Sequence, residues 1–219
     1  MPQGQRRADA EQDFRLSSAH IADTLMRLAE QDSDIADALA RFGMPPERRS
    51  GEGFPVLLRI IVGQQVSVKA AATIFGRIET ALGGHLVPEA FLALDEATVG
   101  TLGLSRQKLG YCRALAEAFA SGALDAEDLR RLDDETAMER LTAVKGLGKW
   151  SARMYLMFSL GRPDIWPHDD LGVREGLRRL LGHETRPEPA QAEEIGRRWS
   201  PHRSPVALLC WHILHNEPV

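Results

Sequence analysis

Cysteine is almost absent: Cys112 and Cys210 are the only two in 219 residues. Two cysteines cannot form the multi-bridge framework of a small secreted protein. They also fall short of the four thiolates that a cysteine-held iron–sulfur cluster requires. Both stand in apolar helical patterns, where a free cysteine acts as a small hydrophobe, so a reducing, cytoplasmic setting is expected. An excess of positive charge is missing too. The formal net charge is -4, so composition points to no polyanion, and any such partner must be met by a local patch. No apolar run approaches the ~20 residues of a membrane span, and the opening MPQGQRRADAEQDF lacks the apolar core of an export signal. Neither membrane insertion nor export is expected. Period-two alternation, the mark of a half-buried strand, is also lacking, as is any internal repeat. What is present is 43% hydrophobic residues, ample for a folded core.

Those residues recur at helical spacing. Ile21, Leu25 and Leu28 share one face between Ser18 and Glu30; Ile35, Leu39 and Phe42 continue until Gly43 and Pro45-Pro46 interrupt. Phe54 to Val62 reads as a buried helix, Gly63-Gln64-Gln65 breaks it, and Ser67 can cap a second helix bearing Val68, Ala72, Phe75 and Ile78. A further helix starts at Leu104-Ser105 and ends near Gly122. The acidic stretch Asp125 to Glu139, with apolar residues at helical intervals, reads as a solvated outer surface. From Leu141 a short helix enters a Gly146/Gly148 turn, and the next carries Trp150, Met154, Met157 and Phe158. Pro167-His168-Asp169-Asp170 precedes a helix with Val173, Leu177, Leu180 and Leu181; helices around Glu193 and from Ser204 to His215 complete the chain. The expected fold is all-α, with residues 1–14 disordered and one helical domain over 15–219.

The stretch VKGLGKWS, Val144 to Ser151, places glycines at alternate positions between two helices. Such a turn exposes consecutive backbone N–H groups at a helix N-terminus, a seat for a phosphate oxygen, and Lys145 and Lys149 add charge there. Taken alone, a G-x-G turn is equally a plain helix connection with solvated lysines. Two other segments accompany it: IVGQQVSVKAAATIF upstream and WPHDDLGVREG about twenty residues downstream.

In the order and spacing of GQQVSVKAA, KGLGKWSA and PHDDLGVR, the sequence resembles the helix-hairpin-helix DNA glycosylases, in particular the alkylated-base branch known as the DNA-3-methyladenine glycosylase II family. The resemblance runs from about residue 15 onward and implies the compact form, without an appended sheet domain. It implies two helical lobes with a cleft between them and a hairpin at about 141–151. The implied activity is removal of alkylated purines, 3-methyladenine among them, from double-stranded DNA by a monomer. No cofactor would be needed beyond a possible structural Na+ or K+ bound by the backbone carbonyls of Thr142, Val144 and Leu147.

The resemblance also implies site residues. Asp170, with Val173 and Arg174, meets the signature D-x-x-V-[KR] and would be the essential carboxylate; taken without the hairpin, an aspartate here reads as a simple N-cap for the helix beginning at Leu171. A fixed carboxylate can stabilise the oxocarbenium character of a breaking N-glycosidic bond or deprotonate an attacking water. Asp169 would cap the helix or bind within the protein. Relatives that also nick the backbone carry a lysine where Trp150 stands here. Lys149 lies one place earlier, roughly 100° around the helix, so a monofunctional enzyme is expected. Trp150 would wall the base pocket, where a cationic alkylpurine favours an aromatic face, or would pack in the core. Met154, Trp211 and His212 fall at further pocket positions, and Tyr155, Trp166 and Trp199 are aromatic candidates of pocket or core. Gln65 would wedge into the duplex where the damaged nucleotide has left, flanked by Gln64 and Ser67. Lys145, Gly146, Gly148 and Lys149 would hold phosphate. Eleven lysines and arginines between 141 and 205 make that half locally basic. Three rivals remain at this point: a non-catalytic helix-hairpin-helix DNA-binding module, a glycosylase of another base specificity, and a metal-dependent hydrolase built on Asp169, Asp170 and His168.

Overall fold

A computed structural model describes residues 14–216. Among these there are thirteen α-helices and no strand. In chain order they are α1 Ser18–Ala29, α2 Ser33–Phe42, α3 Phe54–Gly63, α4 Val68–Ala81, α5 Pro88–Leu92, α6 Glu96–Thr101, α7 Arg106–Ala120, α8 Ala126–Arg131, α9 Asp134–Thr142, α10 Lys149–Phe158, α11 Leu171–Leu180, α12 Pro189–Gly196 and α13 Arg203–His215. Polar side chains start many of them by accepting orphan backbone N–H groups: Ser17 for α1, Asp32 for α2, Ser67 for α4 and Ser105 for α7. Residues 1–13 of the stretch expected to be disordered lie outside the described residues. Phe14, its last member, is buried beneath the Arg49 guanidinium.

The chain divides into two compact units: Ser50–Tyr155, and the segments on either side of it. In Ser50–Tyr155, α3 is the central helix. Leu57, Leu58, Ile61 and Val62 on it are fully buried, each stabilising the unit by about 1.5–3 kcal/mol. It packs on α4 and α7, with Phe54 meeting Phe91 and Phe119 edge to face at 6.3 and 5.9 Å. The acidic stretch after Asp125 is only partly a solvated surface. Asp125 and Asp133 cap α8 and α9, and Leu129, Ala137 and Leu141 are buried beneath them. The acids stand at helix N-termini, where capping and the helix dipole favour a negative side chain. Tyr155 is core: its fully buried hydroxyl accepts the Gly53 N–H at 2.9 Å.

In the flanking unit, α11 and α13 cross at backbone contact. A Cβ at Gly176 would fall inside the backbone of Cys210, so the absence of a side chain sets their spacing. Trp166 and Trp199 pack edge to face at 5.7 Å; their indole N–H groups donate to Ala192 O and Asp32 Oδ2 at 2.8 and 2.9 Å. Both are core residues. Burial pushes the Cys112 thiol up to about 12 and raises that of Cys210 further. Thiolate is the reactive form, so neither cysteine should react with a maleimide in the native protein at pH 8, while both should react in denaturant. Mass spectrometry of the adducts checks this; rapid native labelling would contradict the burial.

Candidate functional site

In Ser50–Tyr155, α9 and α10 form the two arms of a hairpin joined by residues 143–148. Val144 and Leu147 point into the core, while Lys145, Gly148 and Lys149 are exposed. The alternation places the basic groups outside because the apolar ones anchor the turn. Gly146 has φ +100, and the Tyr111 ring occupies the space where a Cβ would stand. Only glycine meets both demands. The helical bonding of α10 begins with Ala152 N–H donating to Gly148 O, so the first amides of the helix have no partner within it. Trp150 is 45% exposed on that first turn, which removes core packing as its role, whereas Met154 one turn on is buried. Thr142 closes α9, where carbonyls lack intrahelical donors, and Val144 O accepts the Leu147 N–H at 3.0 Å with one of its two lone pairs. Carbonyl oxygens are hard donors of the kind an alkali cation takes.

The GQQ elbow lies against this turn. Gln64 is half-buried; its Nε2 donates to Gly146 O at 2.9 Å and lies 3.4 Å from Ser151 Oγ. Gln65, next in sequence, is exposed with φ +55, a left-handed conformation costing a side-chain-bearing residue about 1–2 kcal/mol. Ser67 caps α4 by accepting Ala70 N–H, so its hydroxyl serves the helix. On the other side, Lys108 Nζ donates to Val62 O at 2.7 Å in the last turn of α3, and burial lowers the pKa of this ammonium. A cavity of about 460 Å³ opens among Gln64, Gln65, Gln107, Lys108, Tyr111 and the hairpin glycines. Lys108 and Tyr111, one turn apart on α7, were not singled out from sequence. Their K-x-x-Y spacing is visible there, but nothing local says which loop they reach.

In the flanking unit, Asp170 is the N-cap of α11. Its Oδ1 accepts both Val173 N–H and the Trp211 indole N–H, each at 2.9 Å. Of the two aspartates that could cap this helix, Asp170 does so; Asp169, one residue outside the helix, is exposed. Gly172 makes the second bond possible, since a Cβ there would lie 2.8 Å from Trp211 Cδ1 and 3.1 Å from Asp170 Oδ1. The Trp211 ring is 7% exposed, tilted against Phe158 at 5.8 Å, with the Arg48 guanidinium 5.9 Å from its centre. His212 turns elsewhere: its Nε2 meets Phe42 O at 2.7 Å and its Nδ1 meets Asn216 Nδ2 at 3.1 Å. Both ring nitrogens are thus engaged in tying α13 to the end of α2 and to its own C-terminus.

Several arginines counted as local positive charge are structural. Arg174, buried, donates to Pro187 O and Glu188; Arg203 pairs with Asp164, Arg198 with Asp32 and Asp34, and Arg178 and Arg179 with Glu175. The basic residue of the D-x-x-V-[KR] signature thereby fastens the segment entering α12 onto α11. His168 Nδ1 lies 2.6 Å from Glu193 Oε2, and among the described residues no three His, Cys, Asp or Glu side chains converge as metal ligands.

Residues 58–202 match the model of the HhH-GPD superfamily base excision DNA repair proteins. The chain is 38% identical over 132 residues to DNA-3-methyladenine glycosylase 1 of Schizosaccharomyces pombe, covering 59% of this chain and 58% of that protein. It is 28% identical over 192 residues to DNA-3-methyladenine glycosylase 2 of Escherichia coli, covering 81% of this chain and 65% of that one. Among solved structures, the S. pombe 3-methyladenine DNA glycosylase in complex with abasic DNA superposes with a TM-score of 0.77 at 31% identity, over 86% of this chain and 95% of that one.

Proposed function

The chain belongs to the HhH-GPD superfamily of base excision DNA repair proteins, and we propose that within it this protein is a monofunctional glycosylase releasing alkylated purines from double-stranded DNA. The observation that carries the reading is Asp170, a carboxylate held through one oxygen by a backbone and an indole N–H. In hydrolysis the bond between C1′ and the base nitrogen breaks and its electron pair leaves with the base. Water oxygen then bonds to C1′ as its proton is lost. Asp170 supports both halves: its negative charge opposes the positive charge developing on the sugar, and it is a base for the water proton. An alkylated purine leaves as a neutral base because its ring is already cationic, so no acid is required. Trp150 presents an aromatic face, worth roughly 0.5–2 kcal/mol to such a cation.

DNA is held by the hairpin, where exposed amides and Lys145 and Lys149 meet phosphate. An alkali cation bound by the carbonyls of Thr142, Val144 and Leu147 would add positive charge beside that phosphate. Gln65 fills the gap left by the extruded nucleotide; extrusion costs a few kcal/mol that an inserted side chain partly returns. With tryptophan at position 150, no lysine is offered there for a Schiff base. The relatives named as 3-methyladenine glycosylases support the alkylated-base class. The test is a duplex containing one stable alkylated adenine, incubated with the protein and analysed before and after hot alkali. Strand breaks should appear only after alkali. Breaks without alkali would refute monofunctionality, and none in either case would refute the alkylpurine specificity.

A further inference from the structure

Two adjacent glutamines carry opposite environments. Gln64 is half-buried with its amide on the hairpin carbonyl of Gly146; Gln65 is exposed and held in a left-handed conformation that its own side chain does not favour. A strained residue persists only where its neighbours over-determine it. Three contacts do so here. Lys108 holds the end of α3 at Val62 O, Ser67 fixes the start of α4, and Gln64 ties the middle of the elbow to the hairpin. Of these three, the Gln64 contact is the one that joins the elbow to the turn between Lys145 and Lys149. A donor is required at that contact, because the partner is a backbone carbonyl, which can only accept.

We propose that Gln64 is a positioning residue: its amide latches the elbow to the hairpin, so that the turn gripping phosphate also sets the presentation of Gln65 to the gap in the duplex. The proposal rests on the plug role given to Gln65 above and extends it to a residue that the sequence places among the DNA contacts. Lesion discrimination then depends on a hydrogen bond inside the protein.

The experiment compares affinities for a duplex carrying a tetrahydrofuran abasic-site analogue and for the same duplex undamaged, using the wild type, Gln65→Ala, Gln64→Met and the double variant. Methionine matches glutamine in length and has no N–H to donate. The ratio of the two affinities should fall about fivefold to tenfold in Gln64→Met, the scale of one lost hydrogen bond, and by a similar factor in Gln65→Ala. The double variant should fall no further, since both changes disable one device. Should Gln64→Met unfold, Gln64→Leu repeats the test with the donor removed and no charge introduced. A lowered ratio in Gln65→Ala with an unchanged ratio in Gln64→Met overturns the latch and leaves the plug standing. An unchanged ratio in Gln65→Ala overturns both. Equal loss on the two duplexes with a lowered melting temperature makes Gln64 merely structural and overturns the latch.

Discussion

Asp170→Asn should lower base release by about 10²- to 10⁴-fold, the range over which a positioned carboxylate contributes, while leaving the melting temperature nearly unchanged. The two expectations separate because Asp170 has two duties. As the N-cap of α11 it accepts Val173 N–H, and asparagine caps a helix about as well as aspartate. Asparagine Oδ1 can also accept the Trp211 indole N–H, so the local geometry has every reason to survive. What asparagine lacks is the negative charge and the basic oxygen. Asp170→Ala is the contrasting variant. It removes charge and cap together and should cost roughly 1 kcal/mol of stability, or about 2–4 °C in a chain of this length, in addition to the activity. Single-turnover base release and thermal denaturation on the same preparations decide it. Full activity in Asp170→Asn would make the residue a cap only and require another group to carry the chemistry. Lost activity with a large fall in melting temperature would indicate that the fold, not the charge, was removed.

Gly176→Ala should be strongly destabilising, although in an ordinary helix interior the same change stabilises by up to about 1 kcal/mol. The added methyl would be driven into the backbone of Cys210, which cannot rotate away as a side chain could, so α11 and α13 must separate. Overpacking of this kind costs about 1–3 kcal/mol, here at the upper end, equivalent to roughly 6–12 °C for a chain this long. Asp170 leads α11 and Trp211 follows Cys210 on α13, so the separation also lengthens their hydrogen bond. Base release should fall along with stability, even well below the melting temperature. A melting temperature equal to or above that of the wild type would mean the two helices are not held at this spacing. The glycines at 172 and 176 stand in the sequence as G-x-x-x-G, a pattern that marks close helix approach.

The helices were legible because their apolar residues recur at helical spacing and their boundaries carry serine, aspartate, glycine and proline, all local signals. The two short helices between Pro88 and Thr101 escaped, since five or six residues are too few for a period to register. Asp170 was legible through its signature, and the hairpin through its two glycines. Less legible was what each polar group is bonded to. Arg174, Arg178, Arg179, Arg198 and Arg203 look like DNA-binding charge in a linear count, yet each meets a carboxylate within the protein. His212 looks like a pocket residue by its place beside Trp211, yet both ring nitrogens are engaged, one by a residue 170 positions away.

The sequence by itself determined the all-helical class, the glycine hairpin with its flanking lysines, tryptophan rather than lysine at position 150, and the aspartate before α11. All of these follow from contacts within about a dozen residues. Only the tertiary structure decided that Trp150 is exposed rather than core, that Trp211 donates to Asp170 across 41 positions, and that Gln64 is bound to Gly146 across 82 while Gln65 is presented. Such bonds depend on the direction of a single N–H or carbonyl once distant helices have packed, and no local pattern of residue types encodes that direction.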